Sequence, residues 1–261
     1  MEDIKKVLLE TIKEAGALVQ SFFEKQQFTI DHKDGVNNLV TEVDQASERL
    51  IVERIKANFP DHGYIGEEYG HAHEEAEYQW VIDPIDGTVN FAHGVPLCCV
   101  SIGIAHKGEM VLGAVYNPMI NELYFAEKGK GAYLNDKPIK VSQNANFETA
   151  FLVTGFPYHF PEKTDPVKIF SHFAQKKMPI RRLGSAALDL CWVATGRFDG
   201  FWEYNLQPWD IAAGMLIAAE AGAVCTEFNG APMHLFSKEL LVTNGKIHRA
   251  LLSEIQSLID E

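Results

Sequence analysis

Apolar residues recur at helical spacing through Ile4, Val7, Leu8, Ile12, Ala15, Leu18, Val19, Phe22 and Phe23. This stripe predicts an amphipathic helix over residues 3–25 packed on the core. A short strand is expected at 28–30, then a polar, turn-rich loop over 31–38 (DHKDGVNN). A second helix should follow Thr41, with Ala46, Leu50, Ile51 and Ile55 turned inward. Residues 64–66 and 80–82 read as strands, the second broken sharply by Pro84 and Gly87, and residues 69–79 are polar. A strand over 97–106 turns at Lys107-Gly108-Glu109 into 111–116, and 123–126 and 132–134 continue the meander. These features describe an α+β half ending near residue 146.

The rhythm then changes. Strands expected at 151–154, 180–183, 199–204, 223–226 and 240–243 alternate with helices at 167–174, 186–195, 210–221 and 246–259. Alternation of this kind predicts an α/β half, 147–261, around a largely buried sheet. No repeat or biased linker separates the halves, so they are expected to pack closely as one unit.

Acids gather where these elements end. The stretch WVIDPIDGTVNF (residues 80–91) brings Asp83 and Asp86 together at a strand-to-turn junction, with Thr88 just beyond. Such a junction can hold two carboxylates rigidly while the irregular backbone offers carbonyls and amides, the oxygen donors that hard cations such as Mg²⁺ require. Alone, D-P-x-D-G is an ordinary turn. It is accompanied by Glu67-Glu68 after the 64–66 strand, by LVTEVD (39–44) and by WDIAAG (209–214). Each companion also has a plainer role. Asp44 suits a helix dipole, Asp210 a helix N-cap, Gly184-Ser185 a capping turn and Glu203 a solvated strand end. His71-x-His73 lies in a polar loop among acids and is read as solvated.

The formal charge of −13 on 261 residues argues against nucleic acid or an anionic membrane as the main partner. It leaves phosphate a foothold only where cations or helix N-termini reverse the local sign. Cys98, Cys99, Cys191 and Cys225 form no C-x-x-C. The adjacent pair would face opposite sides of a strand, so all four read as buried thiols in a reducing compartment. With no signal-peptide pattern and no membrane-length apolar run, a cytoplasmic protein is expected.

The GEE, WVIDPIDGTVNF and WDIAAG motifs, in this order and spacing, resemble the inositol monophosphatase family of Mg²⁺-dependent, lithium-sensitive phosphatases. The likeness extends over almost the whole chain, including residues 39–44 and Gly184-Ser185-Ala186-Ala187. It implies a layered αβαβα sandwich and a homodimer. Carried over residue by residue, it assigns metal ligation to Glu67, Asp83, the Ile85 carbonyl, Asp86 and Asp210. It assigns alignment of the attacking water to Asp44 and Thr88. Phosphate and substrate contacts fall to Gly87, Thr88 and the Gly184-Ser185-Ala186 turn, beside Glu67, Asp86 and Asp210, and Glu203 would bind substrate hydroxyls. Ser185 stands where Thr or Ser is expected.

The chemistry of these residues agrees with the resemblance. All-oxygen donors favour Mg²⁺ or Mn²⁺ over Zn²⁺, with two or three Mg²⁺ per site implied. The Asp83–Asp86 spacing lets Asp83 bridge two cations, which at about 3.5–4 Å stabilise both oxygens of an in-line displacement. Acids three apart with proline between them do not match the D-x-D of aspartyl-phosphate chemistry, so direct water attack is expected. The implied substrate is a small phosphorylated polyol, first inositol monophosphate. Fructose bisphosphate, the 2′-phosphate of NADP and a phosphoadenosine nucleotide are alternatives. A non-catalytic metal-binding regulator on the same scaffold is a separate reading, which the Asp44–Thr88 pair speaks against.

Overall fold

The computed structural model describes residues 1–33, 39–157 and 165–259. Two helices, α1 (Glu2–Lys25) and α2 (Glu42–Asn58), flank a small antiparallel pair, β1 (Ile30–His32) and β2 (Leu39–Thr41). A large sheet follows: β3 (Gly63–Gly66), β4 (His71–Ala72), β5 (Tyr78–Asp86), β6 (Cys99–His106), β7 (Glu109–Asn117), β8 (Glu122–Glu127), β9 (Ala132–Leu134) and β10 (Lys137–Pro138). Their order is β10-β9-β8-β7-β6-β5-β3-β4, antiparallel except where β3 runs parallel to β5. A short helix, α3 (Thr88–Ala92), lies between β5 and β6. The rest comprises β11 (Leu152–Thr154), α4 (Pro166–Gln175), β12 (Ile180–Arg181), α5 (Ala186–Ala194), β13 (Gly200–Tyr204), α6 (Pro208–Glu220), β14 (Val224–Thr226), β15 (Glu239–Thr243) and α7 (His248–Ile259). The second sheet is ordered β12-β11-β13-β15-β14.

Three hydrophobic clusters set the layers. α1 and α2 cover one face of the large sheet, where Ile4, Leu8, Ile12, Ile51 and Ile55 meet Trp80, Ile82, Val100 and Ile102. α5 and α6 fill the space between the sheets, where Leu190, Ile211 and Ile217 meet Val81, Val115 and Phe201. α4 and α7 close the far face through Ile169, Phe173, Leu251 and Ile255. The result is an αβαβα sandwich. Cys98 and Cys99 fall in different clusters, on opposite sides of the large sheet, because adjacent strand residues point apart.

Close packing fixes the layers relative to one another. A Cβ at Gly16 would sit 2.4 Å from the Tyr116 ring, so α1 lies directly on β7. A Cβ at Gly103 would come within 2.8 Å of Ala212 Cβ, and one at Gly113 within 2.8 Å of the Ala213 carbonyl. The small residues of WDIAAG are therefore the contact that seats α6 on the sheet. All nine residues of α5 are buried, as expected of a helix that is apolar on every side but for Asp189.

Several expectations need correction. β1 covers Ile30–His32, not 28–30, because Phe28 leaves the strand line to pack its ring 4.8 Å from that of Phe91. Residues 34–38 of the expected 31–38 loop, and 158–164, lie outside the described residues. On α2, Ala46 and Leu50 are only half-buried, while Asp44, Ser47 and Glu48 join Ile51 and Ile55 on the inner face. The strand expected at 180–183 is only two residues long, since the chain must turn at Gly184 (φ 87°) into α5. The second sheet is mixed: β11 is parallel to β12 and β13, but β15 is antiparallel to β13 and β14. Nor does β5 break at Pro84; it runs on to Asp86 and ends at Gly87. No described helix is long and apolar enough to cross a membrane.

Candidate active site

The passage of β5 through Pro84 is what makes the site. Asp83 pairs with Ser101 and Asp86 with Cys99, so three steps along β5 match two along β6. This is a bulge with one extra residue. In an unbroken strand, residues three apart point to opposite faces. The extra residue brings both carboxylates to one side, and a bulge is also where a strand tolerates proline. Local bonds hold it: Ile85 N–H donates to Asp83 Oδ1 at 3.0 Å, and Ser47 Oγ donates to the Pro84 carbonyl at 3.2 Å. Gly87 then adopts φ 91° as the N-cap of α3, where a Cβ would meet the Leu97 carbonyl at 2.8 Å.

Asp83 and Asp86 open onto a cavity of about 820 Å³, within the usual range for a small-molecule site. Its lining includes Glu67, Asp83, Ile85, Asp86, Gly87, Thr88, Gly184, Ser185, Ala186, Glu203 and Asp210. These are all the sequence-nominated residues but one. The exception, Asp44, stands behind Thr88 and accepts from its hydroxyl at 3.2 Å through Oδ1. Its Oδ2 is engaged by the Thr41 amide (2.8 Å) and hydroxyl (2.5 Å) in a capping box at the start of α2. The helix-start role and the site role of Asp44 thus use different oxygens. Thr88 Oγ1 also lies 3.0 Å from the Ile85 carbonyl.

Other residues serve the site differently from expectation. Asp210 is not the N-cap of α6; Gln207 is, and its N–H donates to Asp210 Oδ2 at 2.6 Å. The Ser185 hydroxyl donates to Asp86 Oδ2 at 2.6 Å, and the Ala187 amide donates to the same oxygen at 2.7 Å. The N-terminus of α5, expected to meet phosphate, therefore already holds an anion, the Asp86 carboxylate. Glu203 is buried rather than a solvated strand end. It lies against Gly155, where a Cβ would be 2.2 Å from both carboxylate oxygens.

Burial pushes the Asp83, Glu203 and Asp210 carboxyls well above the usual range, with neighbouring carboxylates adding to it. Burial also raises Asp44 to about 7, against its Thr41 bonds, and Asp86 to about 6, against Ser185 and Ala187. So many acids facing one space call for positive charge. Among the described residues no three His, Cys, Asp or Glu side chains form a ready-made ligand cluster. Glu67 instead meets an ammonium: Lys33 Nζ is 2.7 Å from its Oε1 and also pairs with Glu68. Burial works against the Lys33 charge, yet Glu67 and Glu68 hold it above the ordinary lysine range. The donor set, carboxylates with the Ile85 carbonyl, fits a hard divalent cation.

Three residues escaped the sequence reading. Glu48 is buried and accepts from the Glu68 amide (2.8 Å) and the Tyr69 amide (2.9 Å), which fixes the turn carrying Glu67. Its signal was an acid four residues after Asp44, in line with Ile51 and Ile55. Lys33 gave none beyond its place in a polar loop. Asp189 lines the cavity from within α5 and was legible as the one acid of an apolar helix.

A layered α/β sandwich that gathers carboxylates, a hydroxyl–carboxylate pair and helix starts in one cavity defines a phosphoric monoester hydrolase. The chain belongs to the inositol monophosphatase family, whose model matches residues 1–260. It is 42% identical over 248 residues to an inositol-1-monophosphatase of Synechocystis sp., covering 94% of this chain and 86% of that one. It is 38% identical over 264 residues to a Nus factor SuhB of Pasteurella multocida, covering 100% of this chain and 98% of the other. Among solved structures, the extragenic suppressor protein suhB of Bartonella henselae superposes with a TM-score of 0.91 at 34% identity, covering 97% of this chain and 98% of that one.

Proposed function

We propose that this chain is a Mg²⁺-dependent phosphomonoesterase acting on a small phosphorylated polyol, with inositol monophosphate as the first substrate to test. The observation that carries the reading is the Thr88–Asp44 hydrogen bond at the edge of the acid-lined cavity. A protein that only bound metal would need the carboxylates but not this pair. Glu67, Asp83, the Ile85 carbonyl, Asp86 and Asp210 would hold the cations. Bound there, Mg²⁺ supplies Lewis-acid stabilisation of charge on the phosphoryl, attacking and leaving oxygens.

The chain's own residues do the rest. Thr88 and Asp44 orient a water in line with phosphorus; Asp44 stands behind Thr88 and accepts from its hydroxyl, so the water's proton passes to Thr88 Oγ1 as the Thr88 proton passes to Asp44. Gly87 and Thr88, at the start of α3, offer amides to phosphate. Glu203, held over Gly155, accepts from a hydroxyl of the leaving group. Lithium sensitivity and a homodimer belong to the same reading. Phosphate release with Mg²⁺ is the test, across inositol 1-phosphate, fructose bisphosphate, NADP and a phosphoadenosine nucleotide. Silence on all of them would overturn the reading and favour a non-catalytic metal-binding role.

One observation favours a second substrate class. Arg182 is exposed and lines the cavity, and its charge partly opposes the rise that burial imposes on the Asp189 and Glu203 carboxyls. A guanidinium there could pair with a second phosphate, as a sugar bisphosphate would present. Arg182→Gln would then reduce kcat/KM for fructose bisphosphate more than for inositol 1-phosphate.

A further inference from the structure

Most buried acids around the cavity have hydrogen-bond partners among the described residues. Asp44 has Thr41 and Thr88, Asp86 has Ser185 and Ala187, Asp210 has Gln207, and Glu48 has two amides. Asp189 differs. It is 1% exposed, and its Oδ1 is buried without a hydrogen-bond partner among the described residues. It is the only charged residue of α5, whose other eight positions are Ala, Leu, Cys, Trp and Val.

Helix chemistry alone does not account for it. An acid in a first turn gains about 0.3–1 kcal/mol from the helix dipole, an amount equally available on an exposed face. Burying a carboxyl without a partner costs more than that. Like charge from Glu203 and Asp86 adds to the cost, and the Arg182 charge opposes it. A carboxyl kept at such expense, on a residue that lines a ligand cavity, points to a donor that arrives with the ligand and meets it from the cavity side. Phosphate is excluded as that donor, because its oxygens would repel the carboxylate. A neutral hydroxyl fits, and Glu203 lines the same cavity with a second buried carboxylate.

We propose that Asp189 is a specificity-determining residue, accepting a hydrogen bond from a hydroxyl of a polyol or sugar leaving group beside Glu203. The inference rests on the phosphomonoesterase reading and deepens it. The test compares wild type with the near-isosteric Asp189→Asn on inositol 1-phosphate and on p-nitrophenyl phosphate, whose leaving group has no further hydroxyl. Melting temperature and Mg²⁺ affinity are measured alongside.

D189N should lose about tenfold more kcat/KM on inositol 1-phosphate than on the aryl phosphate, because a neutral amide oxygen replaces a charged acceptor and an NH₂ donor replaces the second oxygen. Its melting temperature should hold or rise, because an unpartnered carboxyl is gone, whereas a structural acid would give a fall. Asp189→Ser, a second replacement, should show the same selectivity if D189N does not fold. Equal losses on both substrates, no loss on either, or a tenfold weaker Mg²⁺ affinity overturn the inference and leave the enzyme standing. A wild type that cleaves neither ester overturns both, and one that cleaves only the aryl ester overturns the role of Asp189.

Discussion

Ser185→Ala tests how the second half of the chain completes the site. The Ser185 hydroxyl, 2% exposed as a residue, donates to Asp86 Oδ2 at 2.6 Å across 99 positions of sequence. A hydrogen bond to a charged group contributes about 1.5–3 kcal/mol, more than a neutral one. At 1.36 kcal/mol per pKa unit, losing it should raise the Asp86 carboxyl by roughly one to two units from its value of about 6. A neutral-pH sample would then hold much of Asp86 protonated, and a cation would have to displace that proton. Mg²⁺ affinity measured by calorimetry at pH 7 should fall about tenfold. The bond favours the ionised form, so its share of the stability cost appears only where Asp86 is ionised, beside a smaller, pH-independent cost from losing the Ser185 cap on the Leu188 amide. At pH 8 without Mg²⁺ the melting temperature should drop by roughly 3–12 °C, and at pH 5 by much less. Ser185→Thr keeps the hydroxyl and should restore most of both quantities. Unchanged Mg²⁺ affinity, or the same melting loss at pH 5 and pH 8, would refute the coupling.

Other outcomes follow from the same geometry. Asp83→Asn should abolish most phosphate release by disabling the shared carboxylate, whereas Thr88→Ala should lose activity yet keep much of the Mg²⁺ affinity; equal loss of affinity in a metal titration would contradict the assigned roles. In chelator-treated protein, Asp44 (about 7), Asp86 (about 6) and Glu48 (about 7) all sit above their unfolded values. At these three groups the folded state binds more protons, so their contribution to stability is fullest below about pH 4 and is lost as pH rises through 7, with Mg²⁺ flattening the loss; the difference in urea midpoint between pH 5 and pH 8, with and without Mg²⁺, checks this. Gly155→Ala puts a methyl where the Glu203 oxygens now lie, so kcat/KM for inositol 1-phosphate should fall about tenfold or more, with about 1–3 kcal/mol of stability lost by urea titration.

Much of this protein was written locally. The stripe from Ile4 to Val19, the meander turns and the strand–helix alternation after residue 150 are periodicities that short-range sterics and burial impose on any chain, so the elements could be read to within a few residues. The acids were legible through the resemblance of their motifs taken together, whereas Asp44 and Asp210 taken singly read as ordinary helix-start residues. Their assembly was not. The bulge that turns Asp83 and Asp86 to one face depends on pairing with β6, which the D-P-x-D-G motif does not contain. The Ser185 hydroxyl looked free for substrate until the fold brought Asp86 to it. Glu48, Lys33 and Asp189 are ordinary polar letters in sequence and acquire meaning only from what is buried beside them. Residue type and local period are properties of neighbours along the chain, whereas which oxygen is already bonded, and which is left for a ligand, is decided by residues a hundred positions away.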